Sequence, residues 1–418
     1  MATTGNPEMR LHSPYRWVVL AVFTVVAGLS QLLWLNFAPL LSMVQKQYGV
    51  SEFMASLLLL VFPLIYVFLS VPAGILIDKK GYRYSIGLGA VLMALFATLR
   101  IFDASFWALL IGQIGIAIAQ PFVINGISKL VLDWFSEEQS AIATGLGTMG
   151  MFIGMAVGMA LTPVLVEATG FRLTMVFFAV VSILSCVAFL ALAKSNPAAR
   201  PEPAPGQAAK RVSLADRNLL LLYAVSFLGL GFFNGLTTWL EPILAPQGID
   251  AVKAGIIGAF LILGGIFGSV IIPGLSDRFK RRKPFLIGST VVAGLTLYPL
   301  CTGRDFNQLL VLGALQGFFF LPAYALLLEM CSEVAGEVLA GSATGILMLT
   351  GNAGGVVVIM AMEAVKGKAP TFIAGVHLMM VTLVLAVLLS LLLSETFHFK
   401  SRPAAPGDTV GPEALPDT

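Results

Sequence analysis

Long apolar stretches alternate with short polar links along the chain, and this pattern predicts a bundle of membrane-crossing helices. Each apolar stretch is near or above the roughly 20 residues that cross a bilayer core as a helix. We therefore predict an all-α polytopic membrane protein, with twelve transmembrane helices in two pseudo-symmetric six-helix halves. The predicted spans, numbered one to twelve, are 16–43, 52–77, 84–102, 106–132, 140–165, 172–193, 218–244, 252–275, 284–302, 306–330, 338–364 and 371–394.

Polar segments divide the chain into its predicted parts. Residues 195–215 are rich in Pro, Ala and charged residues, which is typical of an exposed linker. They separate an N-terminal six-helix half, 16–194, from a C-terminal six-helix half, 216–396. Residues 1–15 and 397–418 are polar and are predicted to form disordered tails.

Lys and Arg are distributed unevenly over the predicted loops. Of the 25 Lys and Arg residues, 18 fall on the side that holds both tails and the linker. Cytoplasmic loops of membrane proteins carry such an excess, so both termini are predicted to be cytoplasmic. The sequence holds no Asn-x-Ser/Thr glycosylation site, which favours a prokaryotic inner membrane.

Composition supports a membrane protein and excludes several other classes. The chain is 58% hydrophobic and only 11% charged, whereas a soluble domain carries about 25% charged residues. A net charge of +3 gives no indication of nucleic-acid binding. We find no metal-ligand spacing, cofactor motif or catalytic arrangement, so we predict no metal, no cofactor and no enzymatic activity.

The link between spans two and three carries a distinctive pattern. Gly74, Asp78, Gly81 and Arg83 are spaced G-x-x-x-D-x-x-G-x-R, and a degenerate copy, PGLSDRFKRRK, follows span eight. The pattern resembles the signature loop of the major facilitator superfamily. That resemblance implies two repeated halves that rock against each other around a site at mid-depth.

Acidic and basic residues at the cytoplasmic ends of the spans are candidates for a gate. Asp78 is expected to accept hydrogen bonds from the amides that begin span eleven, near Gly341 and Ser342. Asp277 is expected to do the same at the start of span five. Both contacts would hold the cytoplasmic side shut and would break when it opens. The other predicted gating residues are Arg83, Arg278, Lys129 and Glu329.

Polar groups predicted at mid-depth are mostly neutral amides, accompanied by aromatic rings. The scarcity of charge there argues against a proton-driven carboxylate carrier, because proton relays and anion pockets use ionisable groups. A neutral, aromatic cavity suits a cation held by ring faces, or an amphipathic neutral solute. The main members of this set are Gln31, Asn36, Gln120, Asn234, Asn352, Tyr324, Trp34 and Trp239.

Three stretches resemble one particular family, the feline leukaemia virus subgroup C receptor-related transporters of choline and ethanolamine, for which haem is also proposed. They are WLNFAPLLSMVQKQYGV, AQPFVINGISKLVLDWF and GFFFLPAYALLLEMCSE. The resemblance implies that Trp34 packs on a quaternary ammonium and that Gln120 lines the same pocket. Asn352 replaces a glutamine of that pocket, and Asn234 falls near an aromatic position, for which Trp239 is a candidate substitute. Tyr324 completes the predicted substrate-binding set.

The favoured function is transport of a small organic solute by alternating access, with a choline-like cation as substrate and uniport as the mode. One alternative is proton-coupled transport of organic anions such as monocarboxylates, which would require Arg100 or Lys129 to reach the pocket. Another is a solute receptor that uses the same fold without transport. The expected partners are a small-molecule substrate and the lipid bilayer, with protons left open and no nucleic acid, and the protein is expected to be a monomer.

Overall fold

The computed structural model describes residues 14–196, 216–336 and 339–397. The predicted linker and tails fall almost entirely outside these ranges, so their disorder stays a prediction. Within the described ranges the chain is helical, and eleven continuous helical segments are long and apolar enough to cross a membrane. The protein is therefore a multi-pass membrane protein.

One of those segments, Glu52–Leu99, accounts for two spans. Its 48 residues would reach about 72 Å as one straight helix, more than twice the thickness of a bilayer core. Gly81 interrupts it with φ 79° and ψ 164°, a conformation that no helix contains. Spans two and three therefore meet at Gly81, at the glycine of the predicted loop pattern, and all twelve predicted spans are found in the described ranges.

The spans keep the predicted order, with short links between them. Their bounds, taken along the chain, are Tyr15–Leu35 continued by Leu41–Tyr48, then Glu52–Leu99 for spans two and three, Phe106–Ile124 continued by Gly126–Trp134, Glu137–Thr169, Phe171–Leu192, Arg217–Leu244, Ala251–Phe279, Lys283–Thr302, Phe306–Ala335, Ala340–Lys366 and Ile373–Leu392.

Several spans begin at a polar side chain that caps the helix. Such a side chain accepts a hydrogen bond from one of the first backbone amides, which have no partner inside the helix. Asp250, for example, accepts from the amide of Lys253 at 2.8 Å. The polar links thus separate the apolar stretches and also fix where the next helix starts. The capping residues are Ser51, Ser105, Asp216, Asp250 and Asp305.

Spans one and four are broken, although the sequence predicted each as a single helix. Span one ends at Leu35 and continues through a short 3-10 turn, Ala38–Leu40, that contains Pro39. Span four ends at Ile124, three residues after Pro121. A proline has no amide hydrogen for the helical ladder and disturbs the turn around it. The break in span four turns the Asn125 side chain towards span two, where it contacts Ser70.

Glycines let helices within each half approach closely. A Cβ on Gly154 of span five would lie 1.9 Å from the carbonyl oxygen of Gly28 in span one. A Cβ on Gly354 of span eleven would lie 1.9 Å from the carbonyl oxygen of Phe227 in span seven. No side chain fits at either position. Small residues at helix contacts are common in membranes because backbones can then pack directly.

The two halves contact each other at one end of the bundle. We call this end the far side, and the opposite end, where Tyr15, Gly81 and Asp216 lie, the tail side. On the far side, a Cβ on Gly255 of span eight would lie 2.3 Å from the carbonyl oxygen of Met159 in span five. The backbones of the two halves therefore touch there.

The tail side is open. A side chain added at Gly145, Gly274, Gly341 or Gly345 would meet no heavy atom within 4 Å. Asp78, at the tail-side end of span two, is exposed. The start of span eleven, which the sequence predicted as its partner, is exposed as well. The described structure is thus closed on the far side and accessible from the tail side.

Candidate solute site

Trp34 lies near the far-side end of span one. Its ring is half-buried, and it packs against Phe62 of span two with the ring centroids 6.1 Å apart and the planes 30° from parallel. Phe62 is 1% exposed and belongs to the core of the N-terminal half. A ring supported on one side and still partly accessible can present its surface to a cation.

Buried amides accompany Trp34 on its own helix. Gln31 and Asn36 are 2% and 0% exposed, and among the described residues neither Gln31 Oε1 nor either polar atom of the Asn36 side chain has a hydrogen-bond partner. Unpaired buried polar groups are rare in native proteins, and each one points to an absent water or ligand. Span one therefore presents unused hydrogen-bonding capacity on both sides of the Trp34 position.

Gln113 fixes how span four lies against spans one and two. Its Nε2 donates to Leu58 O at 2.9 Å and to Leu33 O at 3.4 Å. Gln120 follows seven residues later, which places it on the same helix face about 10 Å nearer the tail side. It is 5% exposed, and its Nε2 has no partner among the described residues.

The side chains of Trp34 and Gln120 tilt in opposite directions along the bundle axis, each towards the depth of the other. The Cα–Cβ bond of a helical residue tilts towards the N-terminus of its helix. Span one starts on the tail side and span four on the far side, so the two tilts converge. The register set by Gln113 therefore brings an aromatic ring on span one and an unpaired amide on span four to converging depths.

Asn234 and Asn352 come together where spans seven and eleven meet. Asn234 packs on Gly355, one turn from Asn352, and its Nδ2 lies 2.9 Å from the place that a Cβ on Gly355 would occupy. The Asn234 amide donates to Leu230 O at 2.8 Å, and the Asn352 amide to Met348 O at 2.9 Å. Each nitrogen uses one of its two hydrogens within its own helix, so each side chain keeps one N–H and its carbonyl oxygen for a solute.

Trp239 is enclosed in the C-terminal half. It is 1% exposed, its Nε1 donates to Ile359 O at 3.2 Å, and its ring packs on Phe372 at 4.8 Å. The ring therefore contacts its own half, and its one hydrogen-bond donor, Nε1, is already bonded. Its predicted contact with substrate stays a prediction.

Tyr324 of span ten lies close to the other half, since Phe152 of span five lines the same cavity. The N-terminal half has a polar cluster that begins at Tyr66 of span two. Tyr66 in turn donates to Asn125 Oδ1 at 2.7 Å, and Asn125 donates to Ser70. Tyr324 thus lies on the path between the halves, opposite a set of side chains that the break in span four brings together.

The N-terminal half also contains a buried arginine beside Gln113. Arg100 is 0% exposed, and its Nη1 donates to Gln113 Oε1 at 2.9 Å while its guanidinium carbon lies 5.6 Å from the Phe37 ring. Lys129 pairs with Asp133 at 3.6 Å on the tail side. Arg100 Nε and Nη2 have no hydrogen-bond partner among the described residues, so part of the donor capacity of the guanidinium is unused.

The predicted gating residues lie at the tail side in the open structure. Asp78, Arg83 and Arg278 are exposed at the tail side. Asp277 pairs with Arg282 at 2.8 Å and Glu329 with Arg282 at 2.9 Å, within the C-terminal half. A contact that forms on closure is expected to be broken here, so the gating role of these residues stays a prediction.

Arg282 is a tail-side residue that the sequence did not single out. It is 1% exposed and also bonds Glu333 at 3.2 Å. Burial opposes its charge, but the carboxylates of Glu329, Glu333 and Asp277 outweigh that effect and raise the pKa of the Arg282 guanidinium. The signal that would have found it is the repeat, since the offset of 199 that aligns Asp277 with Asp78 also aligns Arg282 with Arg83.

The sequence also did not predict the far-side contacts that charged residues of the C-terminal half make with the N-terminal half. Glu241 of span seven accepts from the Ser42 amide at 3.1 Å, although it is only 5% exposed. Lys366 of span eleven forms an ion pair with Glu52 of span two and lies 4.6 Å from the Phe372 ring centroid. The positions of these residues in the sequence place them at the far-side ends of their spans. Only the structure shows which span ends contact each other.

Comparison with solved structures supports this description of the fold. A bacterial homologue of the human lysosomal transporter Spinster, in an inward-facing and occupied conformation, superposes with a TM-score of 0.75 at 17% identity, covering 91% of this chain and 97% of that one. The same homologue in an inward-facing, unoccupied conformation gives 0.67 at 18% identity, covering 93% and 97%. At such identities the likeness shows the fold alone.

Relatives in sequence include named transporters and an uncharacterized protein. The choline/ethanolamine transporter FLVCR1 of Felis catus is 25% identical over 398 residues, which cover 88% of this chain and 70% of that protein. Solute carrier family 49 member A3 of Xenopus tropicalis is 27% identical over 392 residues, covering 85% and 80%. An uncharacterized Archaeoglobus fulgidus protein is 34% identical over 174 residues, covering 42% and 80%. The sequence profile of the Major Facilitator Superfamily matches residues 23–359, so the chain belongs to that superfamily.

Proposed function

We propose that this protein is a uniporter that moves a choline-like organic cation across the membrane by alternating access. The observation that carries the proposal is the half-buried Trp34 ring, supported by Phe62 and accompanied by the unpaired amides of Gln31, Asn36 and Gln120. The ring would hold a quaternary ammonium, and the amides would bond the hydroxyl at the other end of the molecule.

The charge distribution supports a cation as substrate. An organic anion would need a positive group in the site, and Arg100, whose Nη1 bonds Gln113 and whose guanidinium lies by Phe37 inside its own half, would have to turn towards it. A ring face and neutral carbonyl oxygens, such as those of Asn234 and Asn352, interact favourably with an ammonium without carrying a full charge themselves. The FLVCR1 relative, a choline/ethanolamine transporter by name, agrees with this substrate class.

The excess of Lys and Arg places the tail side in the cytoplasm, by the positive-inside rule. With that orientation the structure is inward-facing. The site then exchanges solute with the cytoplasm, and closure of the tail side would bring Asp78 to the start of span eleven and Asp277 towards span five. One chain contributes both halves of the path, which supports a monomer as the transporting unit. The proposed location is a prokaryotic inner membrane.

Uptake of labelled choline into proteoliposomes tests the substrate and the coupling together. We expect saturable uptake down the choline gradient that is unchanged when an opposing or assisting pH gradient is imposed. The physical reason is that the described solute site has no ionisable pair that would have to change protonation in each cycle. Rates at three external pH values, with the membrane potential clamped by ionophore, provide the measurement.

The same assay distinguishes the organic-anion carrier and the receptor from the proposed cation uniporter. Uptake of a monocarboxylate that depends on an inward proton gradient, with no choline uptake, would replace the cation proposal by the organic-anion alternative. Binding of choline without any uptake by folded protein would favour a receptor on the same fold. Protein reconstituted without substrate, and checked for a cooperative melting transition, serves as the control for folding.

A further inference from the structure

A cavity lies beside the solute path, inside the C-terminal half. It has a volume of about 80 Å³ and is bounded by spans seven, nine, ten and twelve, with Phe152 of span five reaching in from the other half. We call it the side pocket. Apart from Thr290 and the Tyr324 hydroxyl its wall is apolar, and Phe233 and Phe320 provide two of its faces.

The side pocket has few groups that could form hydrogen bonds with a water molecule. The hydroxyl of Thr290 donates to Leu286 O at 2.8 Å, within its own helix. An internal water generally needs two to four polar partners, and cavities lined by apolar side chains stay dry. The occupant that suits this space is therefore an apolar group.

The side pocket adjoins the proposed solute site. Phe233 precedes Asn234 in span seven, and Leu230, another wall residue, accepts the hydrogen bond of the Asn234 amide. Phe152 comes from the N-terminal half, so the wall includes both sides of the path. A solute whose polar end lies at mid-depth can thus extend an apolar end into the side pocket.

We propose that the side pocket binds a short alkyl chain of the transported cation, so that the preferred substrate is an amphipathic ammonium rather than choline itself. This inference rests on the proposed function for the charged end of the molecule. The size follows from the volume, since 80 Å³ is about half of the 150 Å³ of an engineered cavity that holds benzene. A propyl or butyl group fits, and an aromatic ring does not.

Gly229 gives a direct way to close the side pocket. It lines the wall, and a Cβ added there meets no heavy atom within 4 Å. Gly229→Leu should therefore fill the space without a clash, and Gly229→Ala should fill it in part. Gly288 of span nine also has open space around its missing side chain, but it is exposed on the outside of the bundle. Gly288→Leu is thus a matched control.

The test is calorimetric titration of the purified protein with trimethylammonium ions whose fourth substituent grows from methyl to butyl. Each buried methylene should raise the affinity about fourfold in the wild type and in Gly288→Leu. In Gly229→Leu the affinity should stay flat along the series, while tetramethylammonium binds as in the wild type. Gly229→Ala should lie between them, and melting temperatures of all variants confirm folding.

Two further series separate this inference from the proposed function. Alkyl carboxylates and alkanols of the same chain lengths are titrated in parallel. Chain-length dependence that Gly229→Leu removes, seen with carboxylates or alkanols but not with ammonium ions, would support the side pocket and refute the cation proposal. Equal dependence in wild type and Gly229→Leu, or none in any series, would overturn the side-pocket inference.

Discussion

Trp34→Ala is expected to remove most choline uptake at concentrations near the wild-type KM. A desolvated cation–π contact is worth about 2 kcal/mol or more, and removal of an aromatic side chain at the centre of a binding site commonly costs at least as much. Together these imply a loss of affinity of about 30-fold or more. Trp34→Phe keeps a ring with a weaker electrostatic face, so its affinity should fall between the two.

The control for this substitution is Trp107→Ala. Trp107 is 61% exposed at the start of span four and packs edge-on against Phe106. It has the same chemistry as Trp34 but faces outwards, so its loss should leave uptake within about twofold of the wild type. Unchanged choline affinity in a folded Trp34→Ala protein would remove Trp34 from the site and leave the cation proposal without its main support.

Lys366→Met is expected to shift the protein from the far-side-closed towards the far-side-open conformation. The Lys366 ammonium pairs with Glu52 across the halves and lies over Phe372. A hydrogen bond to a charged group is worth about 1.5–3 kcal/mol, which corresponds to a change of roughly 10- to 100-fold in the ratio of the two conformations. Met keeps the length of the apolar stem, so packing is preserved while the charge is lost.

Spin-label distances measure the shift. One label pair, at Gln47→Cys and Ala245→Cys, reports the far side, and a second pair, at Tyr84→Cys and Phe279→Cys, reports the tail side. All four positions are exposed. The far-side distance should lengthen and the tail-side distance shorten in Lys366→Met. Lys253→Met is the matched control, because Lys253 pairs with Asp250 inside its own half at 3.1 Å. Identical distance distributions in both variants would show that Lys366 does not control the closure.

The spans were predictable because apolar length is a local property of the sequence. Twenty apolar residues must cross a bilayer wherever they occur, and the polar links between them carry the caps that start the next helix. The loop at Gly81 was predictable for the same reason, since a glycine is needed where φ is 79°. The breaks at Asn36 and Asn125 were not, although Pro39 and Pro121 marked both places.

The candidate site was only partly predictable, because a side chain's role depends on what it packs against. Trp34 and Trp239 look alike in sequence, yet one ring is half-buried and the other is 1% exposed with its nitrogen bonded. The sequence offered Arg100 as a candidate for the site, and the structure shows that its Nη1 donates to Gln113. Such distinctions arise from contacts between distant segments, and no local pattern records them.

The gate was predictable in position but not in pairing. The sequence placed Asp78, Asp277 and Glu329 at tail-side ends, where the structure has them, but their partners change with the conformation. In the open state Asp277 and Glu329 bond Arg282 of their own half. A single sequence encodes both conformations at once, so the pairing of the closed tail side stays a prediction for distance measurements.

The central claim is that one site between the halves binds an organic cation and opens to each side in turn. Choline counterflow tests it most directly. Proteoliposomes loaded with unlabelled choline and diluted into a trace of labelled choline should accumulate label transiently above the outside concentration, because a carrier exchanges solute through alternating access. Trp34→Ala should show no such accumulation. Folded wild-type protein that equilibrates label without a transient excess, or takes up none, would contradict the account.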